Sequence, residues 1–246
     1  MDIHNRTALI VGGTSGIGLG LARRLANAGS TVIVTGRHPS TETPFETEII
    51  DVTDIEAIHN ARDRIVRAHP TLDLLVTMAG VMLLEDLRDP THITATEETI
   101  AVNLLGTIRT ISAFTPHLAS RGAADIVTVT SGIAYLPFPL MPSYGASKAG
   151  VHAFTEALHP QLAGTGVSVT ELVPPAVATS GQEKLNPAAL PLDDYLDDVI
   201  SLITMNPTPE QIIVRAAERL RWAERDGTYA DLLAARSLSL SSLPGR

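Results

Sequence analysis

The chain has no cysteine, which removes both a disulfide framework and a thiolate metal site from consideration. It is also poor in cationic surface: Lys and Arg number 18 against 27 Asp and Glu, for a formal net charge of −9. With no dense Lys/Arg run, nucleic-acid binding through phosphate neutralisation is not expected. No uninterrupted apolar stretch approaches the roughly 20 residues that a membrane span needs. The opening MDIHNRTALIVGG enters a strand-like run at once and lacks the regions of a secretory signal. These absences together predict a soluble cytoplasmic protein with neither nucleic-acid nor membrane partners. Aromatics are scarce at 4%, yet hydrophobic residues make up 44%, so the chain is globular rather than disordered. Its 246 residues can bury a sizeable core.

What is present is an alternation. Short apolar, β-branched runs at 8–11, 31–34, 48–50, 73–76, 125–130 and 167–173 alternate with stretches of helical period. Near-continuous apolar runs fit strands covered on both faces, the signature of a parallel sheet. The pattern predicts a doubly wound α/β sheet of six or seven strands with right-handed crossovers. Thr53 with Glu56, and Thr94 with Glu97, read as capping boxes, the second for a long helix running toward Pro116. GRHPSTETPFET (36–47) has two prolines and too few periodic apolar positions for a crossover helix, so it is expected to cross as a loop. Helices are predicted over 193–203, 209–226 and 228–236. No linker divides the chain, so one domain over 1–236 is expected, with 237–246 as a mobile tail unless a partner subunit holds it.

VGGTSGIG follows the first strand and opens the first helix. Gly12, Gly16 and Gly18 let the backbone turn tightly, approach a pyrophosphate and pack the helix closely on the sheet. The amides of Thr14, Ser15, Gly16 and Ile17 would face phosphate from the positive end of that helix. Further along, SYGASKAG places Tyr144 and Lys148 at i and i+4, side by side on a helix. An ammonium about 4 Å from the phenol would contribute roughly 4 kcal/mol, or about 3 pK units, drawing the tyrosine toward the working range. Ser131 ends the apolar strand DIVTVT, where open α/β sheets present ligand groups, and its hydroxyl can stabilise charge on a substrate oxygen. Asn103 interrupts an otherwise apolar helix, and a buried amide there needs partners.

VGGTSGIG, DVTD, DLLVTMAG, VNLLGT, VTVTSG, YGASK and VPPAVAT, in this order and at these spacings, resemble the short-chain dehydrogenase/reductase family in its compact single-domain form. The PPAVAT loop, SGIAY and the helical C-terminus resemble a narrower branch, the DltE-like short-chain oxidoreductases. The resemblance implies a Rossmann fold with strand order 3-2-1-4-5-6 and a nicotinamide cofactor. It implies hydride transfer between that cofactor and a carbonyl or alcohol, with Tyr144 as general acid/base, Lys148 lowering its pKa and holding the nicotinamide ribose, and Ser131 orienting the oxygen. Asn103 is implied to kink its helix and anchor a proton-relaying water; a purely structural amide is the alternative. Cofactor contacts are implied for Asp51, which would accept from adenine unless it caps the next helix, and for Val52, Ala79 and Gly80. The same holds for Pro174, Val177 and Thr179 after strand six. Gly36-Arg37 stands where NAD-preferring members usually carry an acid, which favours NADP(H) over NAD(H) through an Arg37–phosphate pair; a surface or adenine-stacked arginine is the alternative.

Two positions depart from the family pattern: Met78 replaces an asparagine, and Pro175 replaces a glycine and stiffens its loop. Substrate contacts are expected from 132–143, from residues after Gly80 and from the segment after Thr179. Leu136, Phe138, Leu140 and Met141 suggest an apolar wall, or else core or a subunit interface. Asp193, Asp194, Asp197 and Asp198 read as a solvated helix start rather than a cation site. No metal ligands are assigned, and none of the histidines is given a role. The resemblance also implies a homodimer or homotetramer built on helices at 95–118 and 143–163. A non-catalytic NADP(H) sensor of the same fold is the competing reading. An epimerase or dehydratase of the extended branch fits less well, since it would need a longer substrate domain.

Overall fold

The computed structural model describes residues 2–38, 43–179, 186, 188–206 and 209–244. Six strands fall where the apolar runs predict them: β1 (Thr7–Val11), β2 (Thr31–Gly36), β3 (Glu46–Ile49), β4 (Leu74–Thr77), β5 (Ala124–Val129) and β6 (Val167–Val173). A small separate ladder joins β7 (Val177–Ala178) to β8 (Leu190–Pro191). A further strand, β9 (Gln211–Ile213), completes a parallel sheet of seven described strands in the order β3-β2-β1-β4-β5-β6-β9. This is the Rossmann arrangement expected from the sequence, extended by one edge strand.

That edge strand corrects the helix predicted over 209–226. Ile212 and Ile213 pair with Leu172 and Val173, and the β-branched run Ile212-Ile213-Val214 closes the open edge of β6. Ile212 and Val214 are buried. Helix begins only at α7 (Arg215–Arg221). Between β2 and β3, no described residue is helical.

Helices cover both faces. On one side α1 (Gly16–Asn27) and α6 (Leu192–Met205) pack over Ile10, Val34, Val76 and Val129. On the other, α2 (Ile55–Ala68), α4 (Gly106–Ser120) and α5 (Pro142–Leu162) enclose Leu9, Ile33, Leu75 and Ile126 around the fully buried Phe114. Each large side chain so buried stabilises the fold by about 1.5–3 kcal/mol. Neighbouring strand residues enter opposite cores in alternation and are buried in both, which explains the unbroken apolar runs.

The capping boxes are also corrected. Asp54, not Thr53, is the N-cap of α2, its side chain accepting from the Glu56 and Ala57 amides. Thr53 instead donates its amide and its hydroxyl to Asp51 Oδ1. Thr94 lies inside α3 (Ile93–Thr99), which is preceded by a 3₁₀ turn capped by Asp89. Helix α3 runs through a π-helical stretch, Ile100–Leu105, into α4. Pro116 lies within α4 rather than at its end. The acidic run meets α1: Arg24 donates to Asp193 and Asp197 at the start of α6. Beyond α8 (Tyr229–Ser237), a 3₁₀ turn spans Leu238–Ser242, and Arg88 donates to the Pro244 carbonyl.

Candidate active site

The carboxyl ends of β1, β2 and β4 open into a cleft of about 500 Å³. Its floor is the turn from β1 into α1. Gly12 has φ +88°, and a Cβ there would stand 2.6 Å from the Ala79 nitrogen. A Cβ on Gly18 would collide with the Gly12 carbonyl. Glycine is therefore required at both positions, by the backbone conformation at one and by close approach at the other. Ser15 makes no side-chain cap to α1, unlike Asp54 on α2, so the first amides of α1 stay available to an anion in the cleft.

Thr14, Ser15, Gly16, Ile17, Val52, Ala79 and Gly80 line this cleft, with Arg37 at one end and Thr179 across from Gly16. His38, to which the sequence reading gave no role, lies beside Arg37 on the same wall. Gly36 packs on Thr14: a Cβ there would lie 2.7 Å from the threonine hydroxyl. A side chain at 36 would have to displace that of Thr14, and Arg37, about half-exposed and 3.9 Å from Glu98, is the charged group at that end. Three expected contacts stand apart from the wall. Asp51 is exposed and turns an oxygen onto Thr53. Pro174 and Val177 are buried behind the strand ends, the Pro174 carbonyl accepting from the Gly132 amide at 2.9 Å. Of the segment after Thr179, residues 180–185 lie outside the described residues.

Gly80 is the junction between this cleft and the second cluster. A Cβ on it would stand 3.3 Å from Asn103 Oδ1 and 3.9 Å from Lys148 Nζ. Asn103, fully buried in the π-helical stretch, accepts from the Val81 amide and donates to the Val81 carbonyl, both at 2.8 Å, and to Ser147 Oγ at 3.2 Å. Its amide thus stitches the cleft wall to α5 and carries no unmet polar group. Lys148 Nζ donates to the Val129 carbonyl at 2.8 Å and lies 5.7 Å from the Tyr144 ring centroid. The Ser131 hydroxyl lies close enough to the Tyr144 phenol to lower its pKa. Phenol, hydroxyl, ammonium and amide therefore lie close together beside the cleft.

The electrostatics differ from the sequence expectation. Burial pushes the Tyr144 phenol above its ordinary value, opposed only by the Ser131 hydroxyl. Lys148 does not depress it, because the amine is drawn to the Val129 carbonyl instead of resting against the phenol oxygen. Burial in turn lowers Lys148 to about 8. The site holds a protonated phenol next to an ammonium that keeps its charge at neutral pH but sits close to losing it.

Two carboxylates that sequence reasoning missed frame the site. Glu85, 3% exposed, accepts from the Ser143 amide at 2.9 Å, from Ser143 Oγ at 2.7 Å and from Thr96 Oγ1 at 2.7 Å. It caps α5 from outside, one residue before Tyr144. Glu171, 1% exposed on β6, accepts from Thr130, which precedes Ser131. Its signal was visible as a lone charge in the apolar run VSVTELV. The apolar wall resolves largely into core: Leu136, Leu140 and Met141 are buried, and the Arg236 guanidinium lies over the Phe138 ring.

The short chain dehydrogenase family model matches residues 6–189. "Uncharacterized oxidoreductase DltE" of Bacillus subtilis (strain 168) is 35% identical over 192 residues, covering 75% of this chain and 76% of that protein. "Sulfoacetaldehyde reductase 2" of Chromohalobacter salexigens is 35% identical over 177 residues, covering 68% and 70%. Among solved structures, a short chain dehydrogenase from Burkholderia cenocepacia J2315 in complex with NADP superposes with a TM-score of 0.82 at 26% identity. That match covers 95% of this chain and 99% of that one.

Lys148 is one of only two lysines, the other being Lys184, so its titration can be read directly. In lysine-labelled NMR spectra of the cofactor-free protein, one of two signals should titrate near 8 and vanish in Lys148→Met. Because folding lowers this pKa, the folded state pays for the buried charge below about 8, and stability rises as pH climbs from there toward 10.5. The gain is roughly 3 kcal/mol and should be missing from the variant's denaturation curves. Two signals both titrating near 10.5 would contradict the burial of this amine.

Proposed function

The chain belongs to the short chain dehydrogenase family, and from that footing we propose that it reduces a carbonyl substrate with NADPH, using Tyr144 as proton donor. Membership makes it a nicotinamide-dependent oxidoreductase; the residue roles and the NADP preference are our reading. The observation that carries the reading is the grouping of Ser131 and Lys148 around Tyr144, with the Lys148 amine 3.9 Å from a Cβ placed on Gly80 in the wall of the glycine-floored cleft.

The cleft fits a dinucleotide. Gly12, Gly18 and the uncapped amides of Thr14 to Ile17 would hold its pyrophosphate, and Arg37 an adenosine 2′-phosphate. Val52, Ala79, Gly80 and Thr179 would wall the remainder, and Lys148 would hold the ribose nearest the reaction. When bound, the nicotinamide supplies the hydride that reaches the carbonyl carbon. Tyr144, kept protonated by burial, gives its phenolic proton to the carbonyl oxygen as charge develops there. Ser131 donates to the same oxygen and orients it. Lys148 keeps a positive charge beside the resulting phenolate. Asn103 holds the Gly80–Val81 wall against α5.

Three further points belong to this reading. The NADP complex of the Burkholderia relative supports the cofactor preference drawn from Gly36 and Arg37. The exposed positions Leu105, Ala146 and Ala153 on the π–α4 and α5 helices support a homodimer or homotetramer through those elements. The described residues contain no helix long and apolar enough to cross a membrane, and a cytoplasmic location with its nicotinamide pool completes the proposal.

Purified protein with NADPH should reduce members of a carbonyl panel that includes small aldehydes, given the sulfoacetaldehyde reductase relative. Tyr144→Phe should lose about 10²–10⁴-fold in turnover while cofactor affinity stays within a few fold. Tight NADPH binding without turnover across the panel would instead mark a dinucleotide sensor. Arg37→Ala should weaken NADPH binding by about tenfold to a hundredfold and leave NADH nearly unchanged; equal losses for both cofactors would remove the 2′-phosphate role. Light scattering at micromolar concentration should give a dimer or tetramer, and a monomer would refute the assembly.

A further inference from the structure

Beneath Ser131 lies a polar network that the mechanism above does not use. Glu171 Oε1 accepts from Thr130 Oγ1 at 2.6 Å and from the Tyr135 hydroxyl at 2.7 Å. Its Oε2 pairs with His152 Nδ1 at 2.9 Å and accepts from Gln211 Nε2 at 2.7 Å. Gln211 is held in turn by Arg221, whose guanidinium lies 4.2 Å from the Tyr135 ring centroid. The partners come from the end of β5, the turn after it, α5, β9 and α7.

We propose that Glu171 is a positioning residue that fixes the Ser131 hydroxyl for the reaction, with His152 as its charge partner. This rests on the function proposed above. Ser131 lies between two groups that Glu171 grips: Thr130 immediately before it and Tyr135 four residues after it. The backbone on either side is pinned to match, Thr130 N to the Leu172 carbonyl at 3.0 Å and Gly132 N to the Pro174 carbonyl at 2.9 Å. Lys148 holds the Val129 carbonyl from α5, and His152 sits one helical turn further along the same helix. One carboxylate therefore sets the strand end that presents Ser131 in register with the helix that presents Tyr144 and Lys148.

A buried carboxylate is costly unless it is fully paired, and a threonine-to-valine style apolar contact would fill this space without that cost. What the charge adds is direction: two acceptor oxygens with four donors tie the strand end to α5 and β9 through one carboxylate. Burial pushes Glu171 up, but the hydrogen bonds from His152, Thr130, Tyr135 and Gln211 together hold it below its ordinary value. His152 is raised, chiefly by its hydrogen bond to Glu171. The charged and titratable groups around that imidazole are Glu171 on β6, Tyr135 on the turn, Glu156 on its own helix and Arg221 on α7. His152, Glu156 and Glu171 bring ligand atoms within 4.8 Å of one another. Both Glu171 oxygens are already taken by two donors each, so His152 serves as counter-charge rather than as part of a cation site.

The test is a double-mutant cycle on turnover, with Glu171→Gln, Ser131→Ala and the pair, alongside NADPH affinity measured without turnover. Glu171→Gln should lower kcat about tenfold to a hundredfold with NADPH affinity within about twofold. In the Ser131→Ala background the same change should cost less than about twofold, because its effect passes through the hydroxyl already removed. The imidazole of His152, followed by NMR, should titrate at lower pH in Glu171→Gln. Equal losses in both backgrounds, an unchanged kcat, or an unmoved His152 would overturn the proposal. If Glu171→Gln does not fold, Thr130→Val in the same cycle reads the same coupling through one bond. A wild-type protein that reduces no carbonyl would sink the proposed function itself, whereas an active wild type with additive losses sinks only this inference.

Discussion

The structure turns on one amine held almost dry. Lys148 reaches back from α5 to the Val129 carbonyl at the end of the central sheet, and everything around it is arranged to tolerate that charge. Asn103 needs a π-helical stretch to bring its amide to Val81 and Ser147. A side chain on Gly80 would crowd the Asn103 amide, whose oxygen stands 3.3 Å from where its Cβ would lie. An ammonium at this depth loses solvation worth several kcal/mol, and the surrounding carbonyl and amide dipoles replace it only partly. Lysine suits the position where arginine would not: its charge is a point that can be given up, while a guanidinium stays protonated. Sixteen of the eighteen basic residues are arginine, which sets Lys148 apart chemically from nearly every other cation in the chain.

The sheet brings this amine, the phenol and the glycine turn to one edge. Parallel strands all end on the same side, so the turns after β1, β4 and β5 must face a common cleft. The helices that cover the sheet then decide what projects into it. The free amides of α1 enter from one face, and Tyr144 enters from α5 on the other. Packing and chemistry are not separate designs here, since the core that closes both faces is also what fixes the relative position of α1 and α5.

Much of this was legible in the sequence, for reasons that also mark where reading stops. Doubly covered strands must be apolar throughout, so six of them stood out as runs. The glycines and the Tyr144–Lys148 pair depend on local spacing, which a linear chain displays. What it does not display is which of several competing partners a group takes. Thr53 and Asp54 are both capping residues by type, and only backbone conformation selects Asp54. Ile212 and Ile213 fit a helix face or a strand equally well until the vacant edge of β6 is known. The direction of the Tyr144 shift was set by burial, which spacing does not display, and the amine expected to oppose it donates to a carbonyl 19 residues away. Leu136 read as pocket or core with equal ease, and packing against Leu232 of the C-terminal helix α8 makes it core.

The two buried carboxylates show why such partners matter to catalysis as well as to folding. Glu85 grips the first turn of α5 from the segment after β4, while Glu171 grips the end of β5 and, through His152, the second and third turns of the same helix. Tyr144 lies between these two anchors. A helix tied at only one point could rotate by a fraction of a turn, and a 1 Å displacement of a reacting group costs about a hundredfold in rate. Two hydrogen-bonded anchors on opposite sides of the tyrosine restrict both rotation and sliding. Neither carboxylate touches a reacting atom, and each is expensive to bury. Their expense is consistent with a fold that spends stability to hold one phenol, and the strand end facing it, in a single arrangement.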